Sequence, residues 1–439
     1  MLHHAGMRRL RWPRPSLTPF LGRPEPDAAD NVWRTTVPVL ALALALAFAG
    51  LGFVMPFLPL YLQELGVRDP SDVRVWSGVM AGAGSLGFAV SAPLWGVVAD
   101  RVGRKPMVLR AMGLGGVAAI AAAFVADPTQ LIVLRILHGF VIGPATASFA
   151  LASSVMPRAN LLRAMGLMQV SMLVGQSLGP FAGGLSADFF GIRPTLVLGG
   201  AIQIGGAALV LAFVRENFTR RGAARTLADL PGAMPALPLR RVVMSATFTA
   251  IMGAQVALMF SQNAAGAVMP LYVQELGEPA RASSYTGFIQ GAFSVCAGAA
   301  ALSAGRVVDR FTLKPTLIAA ITGMALLFIP QAFAPNVWVL LGSRAAQGAF
   351  AGFISPSIQT VIGFVTPQER RGTVYGIMGA ATGSGATVGP LVTGAVAAWV
   401  GLPSVFVVLA GIALIGALWV ALRLDRAAVA AASSAPRPR

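Results

Sequence analysis

Few side chains of this chain could do chemistry, and two of them lie together inside an apolar stretch. Arg135 and His138 are three positions apart, which places them on one face of a helix. A charged side chain inside a membrane span is costly, so Arg135 should face the protein interior or a wet cavity and have a partner. A histidine can titrate near neutral pH, so His138 could carry a proton. An interior histidine that only makes hydrogen bonds is an equal alternative.

A second charged group follows an earlier apolar stretch. The segment Gly96-Val-Val-Ala-Asp100-Arg101-Val-Gly103-Arg104-Lys105 places an acid between two glycines and before basic residues. Glycine permits a tight turn, and Asp100 could pair with an arginine or lie at a helix N-terminus. The pattern indicates a latch made of charges, and a turn with a solvated ion pair is the alternative.

Other kinds of chemistry find no support in the sequence. Cys296 is the single cysteine, so neither a disulfide framework nor a cysteine metal cluster is expected. The nucleotide-binding pattern G-x-x-x-x-G-K-[ST] does not occur. Gly82-Ala-Gly84-Ser-Leu-Gly87 fits a dinucleotide fingerprint, but it lies in the middle of an apolar stretch and indicates helix packing instead. We therefore expect no enzyme, no cofactor and no metal site.

The composition excludes a soluble protein. Of the 439 residues, 56% are hydrophobic and only 11% are charged, and the mean hydropathy is +0.73. The net charge of +17 would suit a nucleic-acid-binding protein, but the basic residues lie between apolar stretches, as in loops that face the cytoplasm. We predict an all-α membrane protein with no nucleic-acid partner.

Twelve apolar stretches approach or exceed the length of about 20 residues that a membrane helix needs. They lie near residues 35–62, 74–98, 106–126, 131–156, 163–188, 193–214, 242–273, 283–305, 314–334, 336–365, 372–400 and 403–423. The predicted domains are a disordered cytoplasmic tail (1–34), a six-helix bundle (35–214), a cytoplasmic linker (215–241), a second six-helix bundle (242–423) and a cytoplasmic tail (424–439).

The positive charges predict the orientation. With the N-terminus inside, the cytoplasmic segments hold 27 of the Lys and Arg residues and the outer loops hold 4. Positive residues are concentrated in cytoplasmic loops of membrane proteins, so both termini are expected in the cytoplasm of a bacterial cell, with the protein in its inner membrane.

The chain repeats itself at an offset of 209 to 211 residues. Pro59-Leu-Tyr-Leu-Gln-Glu-Leu-Gly66 recurs as Pro270-Leu-Tyr-Val-Gln-Glu-Leu-Gly277, and Asp100-Arg101 recurs as Asp309-Arg310. Two halves of six spans each have the same orientation, which is typical of transporters with parallel repeats and a binding site between the halves near the membrane midplane.

Glycines line the fifth predicted span. It reads Gly175-Gln-Ser-Leu-Gly179-Pro180-Phe-Ala-Gly183-Gly184, with small residues four apart that permit close helix packing and a proline that bends the helix.

These segments together resemble one family. Residues 96–105 closely resemble the signature loop of the major facilitator superfamily, and Arg135 to Gly139 resembles its helix 4 motif, with His138 where glutamine is often found. Residues 175–184 resemble the antiporter motif of its exporters. With Pro56 and Pro59 in the first span, residues 35–423 are similar to the twelve-helix drug:proton antiporter branch, which implies two pseudo-symmetric six-helix bundles.

The resemblance also implies roles for individual residues. It implies that Asp100 and basic partners latch the cytoplasmic side during alternating access and that Arg135 takes part in proton transfer. His138 and Asp100 are further candidates for proton coupling, and an outer-end acid such as Glu64 or Asp188 is an alternative proton carrier. The gating candidates are Gly96, Asp100, Arg101, Gly103, Arg104, Lys105, Asp309 and Arg310. The second-half copy of the loop lacks the second glycine.

The predicted substrate cavity lacks an acid, because no carboxylate falls in the middle of a predicted span. This departs from many proton-coupled drug exporters and disfavours strongly cationic substrates. A mostly apolar pocket with neutral polar groups suits lipophilic solutes. The cavity candidates are Met55, Phe57, Gln169, Gln176, Gln255, Gln262, Asn263, Gln290 and Gln359.

Two functions follow from these observations. The first is a proton-driven exporter of lipophilic or amphiphilic drug-like solutes that works by alternating access. The second is an exporter or facilitator of a specific metabolite such as a sugar. The expected partners are a small-molecule substrate, protons and the lipid bilayer, and the expected state is a monomer.

Overall fold

A computed structural model describes residues 32–156, 160–216, 244–365 and 371–424. Most of the predicted tails and linker lies outside these ranges, although α1 begins at Val32, inside the predicted disordered tail. Within the ranges, the side chains of Asp100, Asp309 and Gln359 are not described. The backbone of the described residues is almost entirely helical.

The described helices form twelve elements, three of them interrupted. They are α1 (Val32–Gly52 and Leu58–Glu64), α2 (Pro70–Val102), α3 (Arg104–Ala122), α4 (Pro128–Val141 and Pro144–Val155), α5 (Leu161–Phe190), α6 (Ile192–Phe213), α7 (Ala246–Glu275), α8 (Ala282–Phe311), α9 (Leu313–Leu326 and Phe328–Ala332), α10 (Val337–Val365), α11 (Arg371–Val400) and α12 (Leu402–Arg423).

Each predicted span corresponds to one of these elements, which confirms the all-α membrane class. Ten of the elements are long and apolar enough to cross a membrane. The other two, α5 and α11, have 30 residues each, but their glycine, serine and polar residues make them less apolar. Both lie between neighbouring helices, where small residues matter more than hydropathy.

Proline and glycine explain two of the interruptions. In α1, Pro56 lacks the backbone N–H that would continue the helix, and a short 3₁₀ turn at Met55–Phe57 replaces it. In α4, Gly143 has φ +136°, a conformation that favours glycine, and Pro144 starts the second segment.

Helix packing repeats between the halves. In the first half α1 packs on α5 and α6, and α3 packs on α6; in the second half α7 packs on α11 and α12, and α9 packs on α12. The halves meet mainly where α2 crosses α11 and where α5 crosses α8. These two crossings are related by the repeat, since α2 corresponds to α8 and α5 to α11.

Each crossing brings a glycine against a proline carbonyl. A Cβ atom at Gly78 would lie 2.4 Å from the carbonyl oxygen of Pro390, and one at Gly287 would lie 2.2 Å from that of Pro180. Real Cβ atoms do not approach backbone this closely, so only glycine permits these contacts. Gly78 and Gly287 are 209 positions apart, and the prolines 210, so the same joint occurs twice.

Substitution at such a joint should separate the halves. Gly287→Ala places a methyl group against backbone that cannot move aside, and overpacking of this kind costs about 1–3 kcal/mol. We expect a lower midpoint of thermal unfolding for the purified protein in detergent. The matched control is Gly205→Ala in α6, where a Cβ has nothing within 4 Å. An unchanged midpoint for Gly287→Ala would show that the crossing tolerates a wider separation.

Candidate functional site: two gates and a buried arginine pair

The signature loop is the link between α2 and α3. Gly103 joins the two helices with φ +107°, and its N–H donates to the carbonyl of Ala99 at 3.0 Å. Gly96 has open space where a side chain would be, and Arg101 is exposed. The positive φ of Gly103 is a backbone conformation that favours glycine.

Glu216 closes this loop, although the sequence analysis assigned it no role. Its carboxylate accepts the backbone N–H of Arg104 at 2.9 Å and that of Lys105 at 2.7 Å, while the Lys105 ammonium donates to the Leu211 carbonyl at 3.0 Å. A carboxylate at a helix N-terminus is favoured by unpaired N–H groups and the helix dipole. The end of α6 is thus bound to the start of α3. The repeat could have indicated Glu216, since an acid recurs at the repeat offset: Glu216 and Asp425 are 209 positions apart.

The second-half loop reaches the same geometry without glycine. Thr312 takes the place of Gly103 and has φ +63°, and Lys314 donates to the Leu424 carbonyl at 2.6 Å. A threonine in this backbone region costs about 1–3 kcal/mol, which the surrounding helices must offset. Arg310 is exposed and lies over the ring of Phe311.

Arg135 lies in α4 with its guanidinium against the backbone of α2. A Cβ at Gly84 would be 2.5 Å from its Nη2 atom, so Gly84 provides the space for this side chain. Gly139, four residues after Arg135, packs its own backbone on Gly84. The spacing of arginine and glycine therefore serves one contact between α4 and α2. Nη1 of Arg135 lies 3.1 Å from Nδ1 of His138.

Arg344 is the second-half counterpart and is only 1% exposed. Its Nη1 donates to Oε1 of Gln347 at 2.5 Å, and its guanidinium lies 4.5 Å from the ring centre of Phe293. Among the described side chains, neither buried arginine pairs with a carboxylate. The ion pair among these residues joins Arg74 to Glu275. Both arginines thus depend on neutral partners.

Arg110, five residues after the signature loop, stacks on an aromatic ring. It belongs to α3, is half-buried, and its guanidinium lies 3.6 Å from the ring centre of Trp95. The Trp95 indole in turn donates to the Phe140 carbonyl at 2.7 Å. This stack joins α2, α3 and α4 near the signature loop.

The antiporter segment is a packing surface with two sides. Cβ atoms at Gly175 and Gly179 would lie 2.3 Å and 2.5 Å from carbonyl oxygens of α1, and one at Gly183 would lie 2.7 Å from Phe53. On the other side, Gly184 packs on the Ser283 carbonyl of α8. The helix with Pro180 therefore contacts both halves at once.

The end of the bundle that carries residues 65–69 and 276–278 is called the outer end here, after the charge-based prediction. Arg74 of α2 forms an ion pair with Glu275 of α7 and also donates to the Ala397 carbonyl of α11 at 3.1 Å. Gln63 and Gln274, equivalent residues of the repeat, exchange hydrogen bonds of 2.9 Å and 3.2 Å.

A further bond closes the other crossing at the same end. The Asp188 carboxylate accepts the backbone N–H of Ser284 at 2.8 Å. Sequence reasoning missed Arg74 and the glutamine pair as gate residues, although Gln63 and Gln274 stand in the best-matched repeat.

Hydrogen bonds from Ser71 hold the pKa of Asp69, the cap of α2, below its usual range.

A cavity of about 420 Å³ opens beside the ion pair. It is lined by residues of both halves, among them Arg68, Arg74, Gln274 and Glu275. It lies at the outer end and does not include the residues predicted to line a substrate cavity.

The structure places the predicted cavity residues in different surroundings. Phe57 is fully buried in the packed core, and Gln169 is exposed. Those that are partly buried are Met55, Gln176, Gln255, Gln262, Asn263 and Gln290. Seven-residue spacing places Gln169 and Gln176 on one face of α5, and likewise Gln255 and Gln262 on α7.

Acidic residues in the described part lie outside the helices or within two residues of a helix end. This agrees with the expectation of a membrane interior without carboxylates. Within the described ranges no group of three or more His, Cys, Asp or Glu side chains could hold a metal ion.

Comparison with known proteins identifies relatives over nearly the whole chain. The family model described as Major Facilitator Superfamily matches residues 40–286 and again 251–438. The multidrug resistance protein MdtG of Salmonella typhimurium is 32% identical over 404 residues, which are 90% of this chain and 98% of that protein. MdtG of Salmonella paratyphi B is 31% identical over the same shares.

Solved structures show the same fold. The nucleoside transporter NupG matches with a TM-score of 0.71 at 16% identity, covering 89% of this chain and 99% of that chain. A bacterial homologue of the human lysosomal transporter Spinster matches with a TM-score of 0.71 at 14% identity, covering 93% and 100%.

Removal of the outer ion pair should open the outer end more often. Arg74→Ala breaks a partly exposed pair, worth about 1 kcal/mol or less, so the outer-open population should rise up to about fivefold. Spin labels at Asp72→Cys and Ala280→Cys, in a Cys296→Ser background, report the distance across this end. The exchanged pair Arg74→Glu with Glu275→Arg is the control and should restore the short distance. Equal distance distributions in all three proteins would contradict a gating role for this pair.

Proposed function

Since this chain belongs to the major facilitator superfamily and is a membrane transporter, we propose that it exports lipophilic or amphiphilic drug-like solutes in exchange for protons. The observation that carries the proposal is the similarity to multidrug resistance proteins at 32% identity over 90% of the chain. The packing of the glycine-rich α5 against α1 and α8 supports export, because this segment resembles the motif found in exporters.

The charges of the described residues support neutral or weakly charged substrates. Carboxylates stay near the helix ends, while Gln176, Gln255, Gln262 and Gln290 are partly buried. Neutral amides within apolar walls can orient a lipophilic solute without a strong electrostatic demand. Gln169, Asn263, Met55 and the side chain of Gln359 belong to the same proposed surface.

Alternating access is the proposed mechanism. The outer end is held by the Arg74–Glu275 pair and the Asp188–Ser284 bond. In this state the proposed substrate cavity, which is distinct from the cavity beside Arg74, would open to the cytoplasm. The glycine–proline crossings would act as joints about which the halves rock. Closure at the opposite end would use the signature loop, with Asp100, Asp309 and their basic neighbours as the latch.

Proton coupling is proposed to depend on Arg135, His138 and Asp100. The absence of a phosphate-binding sequence pattern argues for an ion gradient over ATP as the energy source. Arg135 supports this assignment because its guanidinium is buried without a carboxylate partner among the described residues, and a charged side chain at such a place in a membrane protein usually serves a function.

The protein is proposed to act as a monomer in the bacterial inner membrane with both termini in the cytoplasm. Support comes from the distribution of Lys and Arg, 27 in predicted cytoplasmic segments and 4 in outer loops.

Efflux measurements test the proposal. Cells that express the protein should survive higher concentrations of lipophilic compounds in a broad panel. Inverted membrane vesicles should accumulate the same compounds, and a protonophore should abolish accumulation. Arg135→Ala should lower accumulation by about tenfold or more, since a charge-assisted contact is lost.

The controls separate coupling from binding. Vesicles from cells that do not express the protein give the background, and Arg135→Ala is compared with the wild type at equal protein amounts. Transport that persists with the proton gradient collapsed and without a sodium gradient would refute coupling and favour the metabolite facilitator. Transport of a single polar metabolite in place of the panel would refute the drug-like substrate class.

Asp100→Asn tests the latch. Loss of the charge should lower transport by about tenfold while the amount of protein in the membrane stays nearly the same. Glu278→Gln, which removes a charge from an outer loop, is the matched control and should transport normally. Full activity of Asp100→Asn would show that the loop is only a turn.

A further inference from the structure

The contact between Arg135 and His138 determines which ring nitrogen of His138 carries the proton. A guanidinium has only donors, so Nδ1 of His138, 3.1 Å from Nη1, must be the acceptor. In a neutral imidazole the proton then lies on Nε2. A doubly protonated ring would place two donors face to face and would add a second positive charge beside Arg135.

The other ring nitrogen points into a small polar space. Nε2 of His138 has no partner among the described residues, and neither does Nε2 of Gln203, which is 1% exposed. The two side chains border the space left by Gly115: a Cβ there would lie 3.1 Å from Oε1 of Gln203 and 3.8 Å from Nε2 of His138. The Nε2–H of His138 and the Nε2 amide of Gln203 are both donors, so one enclosed water that accepts from both would give each of them a partner.

In the second half, a glutamine occupies the position equivalent to His138 and binds the buried arginine. Gln347 stands 209 positions after His138; its Oε1 accepts from Arg344, and its Nε2 donates to the Met324 carbonyl at 3.0 Å. Met324 is the counterpart of Gly115 at the same offset. The uncharged amide of Gln347 thus accepts a hydrogen bond from the arginine and donates one to α9. A neutral imidazole with its proton on Nε2 has the same two functions.

The charged groups around His138 also favour a neutral imidazole. Its ring is buried among α2, α3, α4 and α6, and Arg135 is the charged group that it contacts. The described stretches of these helices carry carboxylates only near their ends.

From these contacts we propose that His138 is a positioning residue: a permanently neutral imidazole, fixed through Gln203 across Gly115, that holds the guanidinium of Arg135 in place. The inference deepens the proposed function, since it rests on a role of Arg135 in transport. It removes His138 from the proton path and leaves Arg135, Asp100 and an outer-end acid such as Glu64 or Asp188 as the coupling candidates. It also explains why this chain has a buried glutamine at 203, where the second half has Ile412 at the same offset.

Nuclear magnetic resonance of the imidazole tests the proposal without any transport assay. The chain has 3 histidines, so His3→Gln and His4→Gln leave His138 as the one labelled ring in ¹⁵N-histidine protein. We expect a neutral ring with the proton on Nε2 and no titration between about pH 5 and 8. Gln203→Leu should shift the Nε2 resonance, and Gln347→Leu, the matched change in the second half, should not. A ring that titrates in this range, or that carries its proton on Nδ1, would overturn the proposal.

Transport in inverted vesicles gives the second test. His138→Gln should keep at least about half of the wild-type rate with an unchanged pH profile, whereas His138→Leu should lose about tenfold because Arg135 loses its acceptor. Gln203→Leu should lower the rate in the wild type but have little effect beside His138→Gln, since a glutamine amide can donate to the Gly115 carbonyl as Gln347 does to Met324. If His138→Gln is as inactive as His138→Leu at equal protein amounts, the imidazole itself carries the proton. A wild-type protein that transports nothing refutes the proposed function, and the resonance result still decides the role of His138.

Discussion

Contact of helix backbone with helix backbone is the constraint on which this structure depends. Lipid is as apolar as the side chains that face it, so helices in a bilayer gain little by burying leucine and must associate through close packing. Glycine permits that approach where α2 meets α11 and where α5 meets α8, and again where α4 lies on α2 at Gly139 and Gly84. The two spans that fall short of the usual apolarity, α5 and α11, consequently lie where the halves meet.

The same close packing makes room for the buried arginines. Gly84 leaves space for the guanidinium of Arg135, while the equivalent position in the second half is Phe293, whose ring faces Arg344. The duplicated halves have therefore kept a cation at the same depth and changed its surroundings. One half offers an open backbone and a histidine, and the other an aromatic face and a glutamine.

Charges at the two ends of the bundle have different partners. At the outer end they join the two halves to each other, through Arg74 with Glu275 and Asp188 with the N-terminus of α8. At the opposite end they join elements within one half, through Glu216 with the start of α3 and Lys314 with the end of α12. In the proposed rocking motion the first set of contacts would break, and the second could persist because it lies within one half.

Hydropathy, glycine spacing and the internal repeat were enough to predict the all-α membrane class, the approximate ends of every helix and the close packing of the glycine-rich α5. These features depend on local sequence, because a helix in a bilayer satisfies its own hydrogen bonds and needs only length and apolarity. The partners of the charged residues could not be predicted. Glu216 is 112 positions from Arg104, and Arg74 is 201 positions from Glu275, so no local pattern links them. Tertiary packing alone decided which acid meets which base, because that choice depends on where the helices cross.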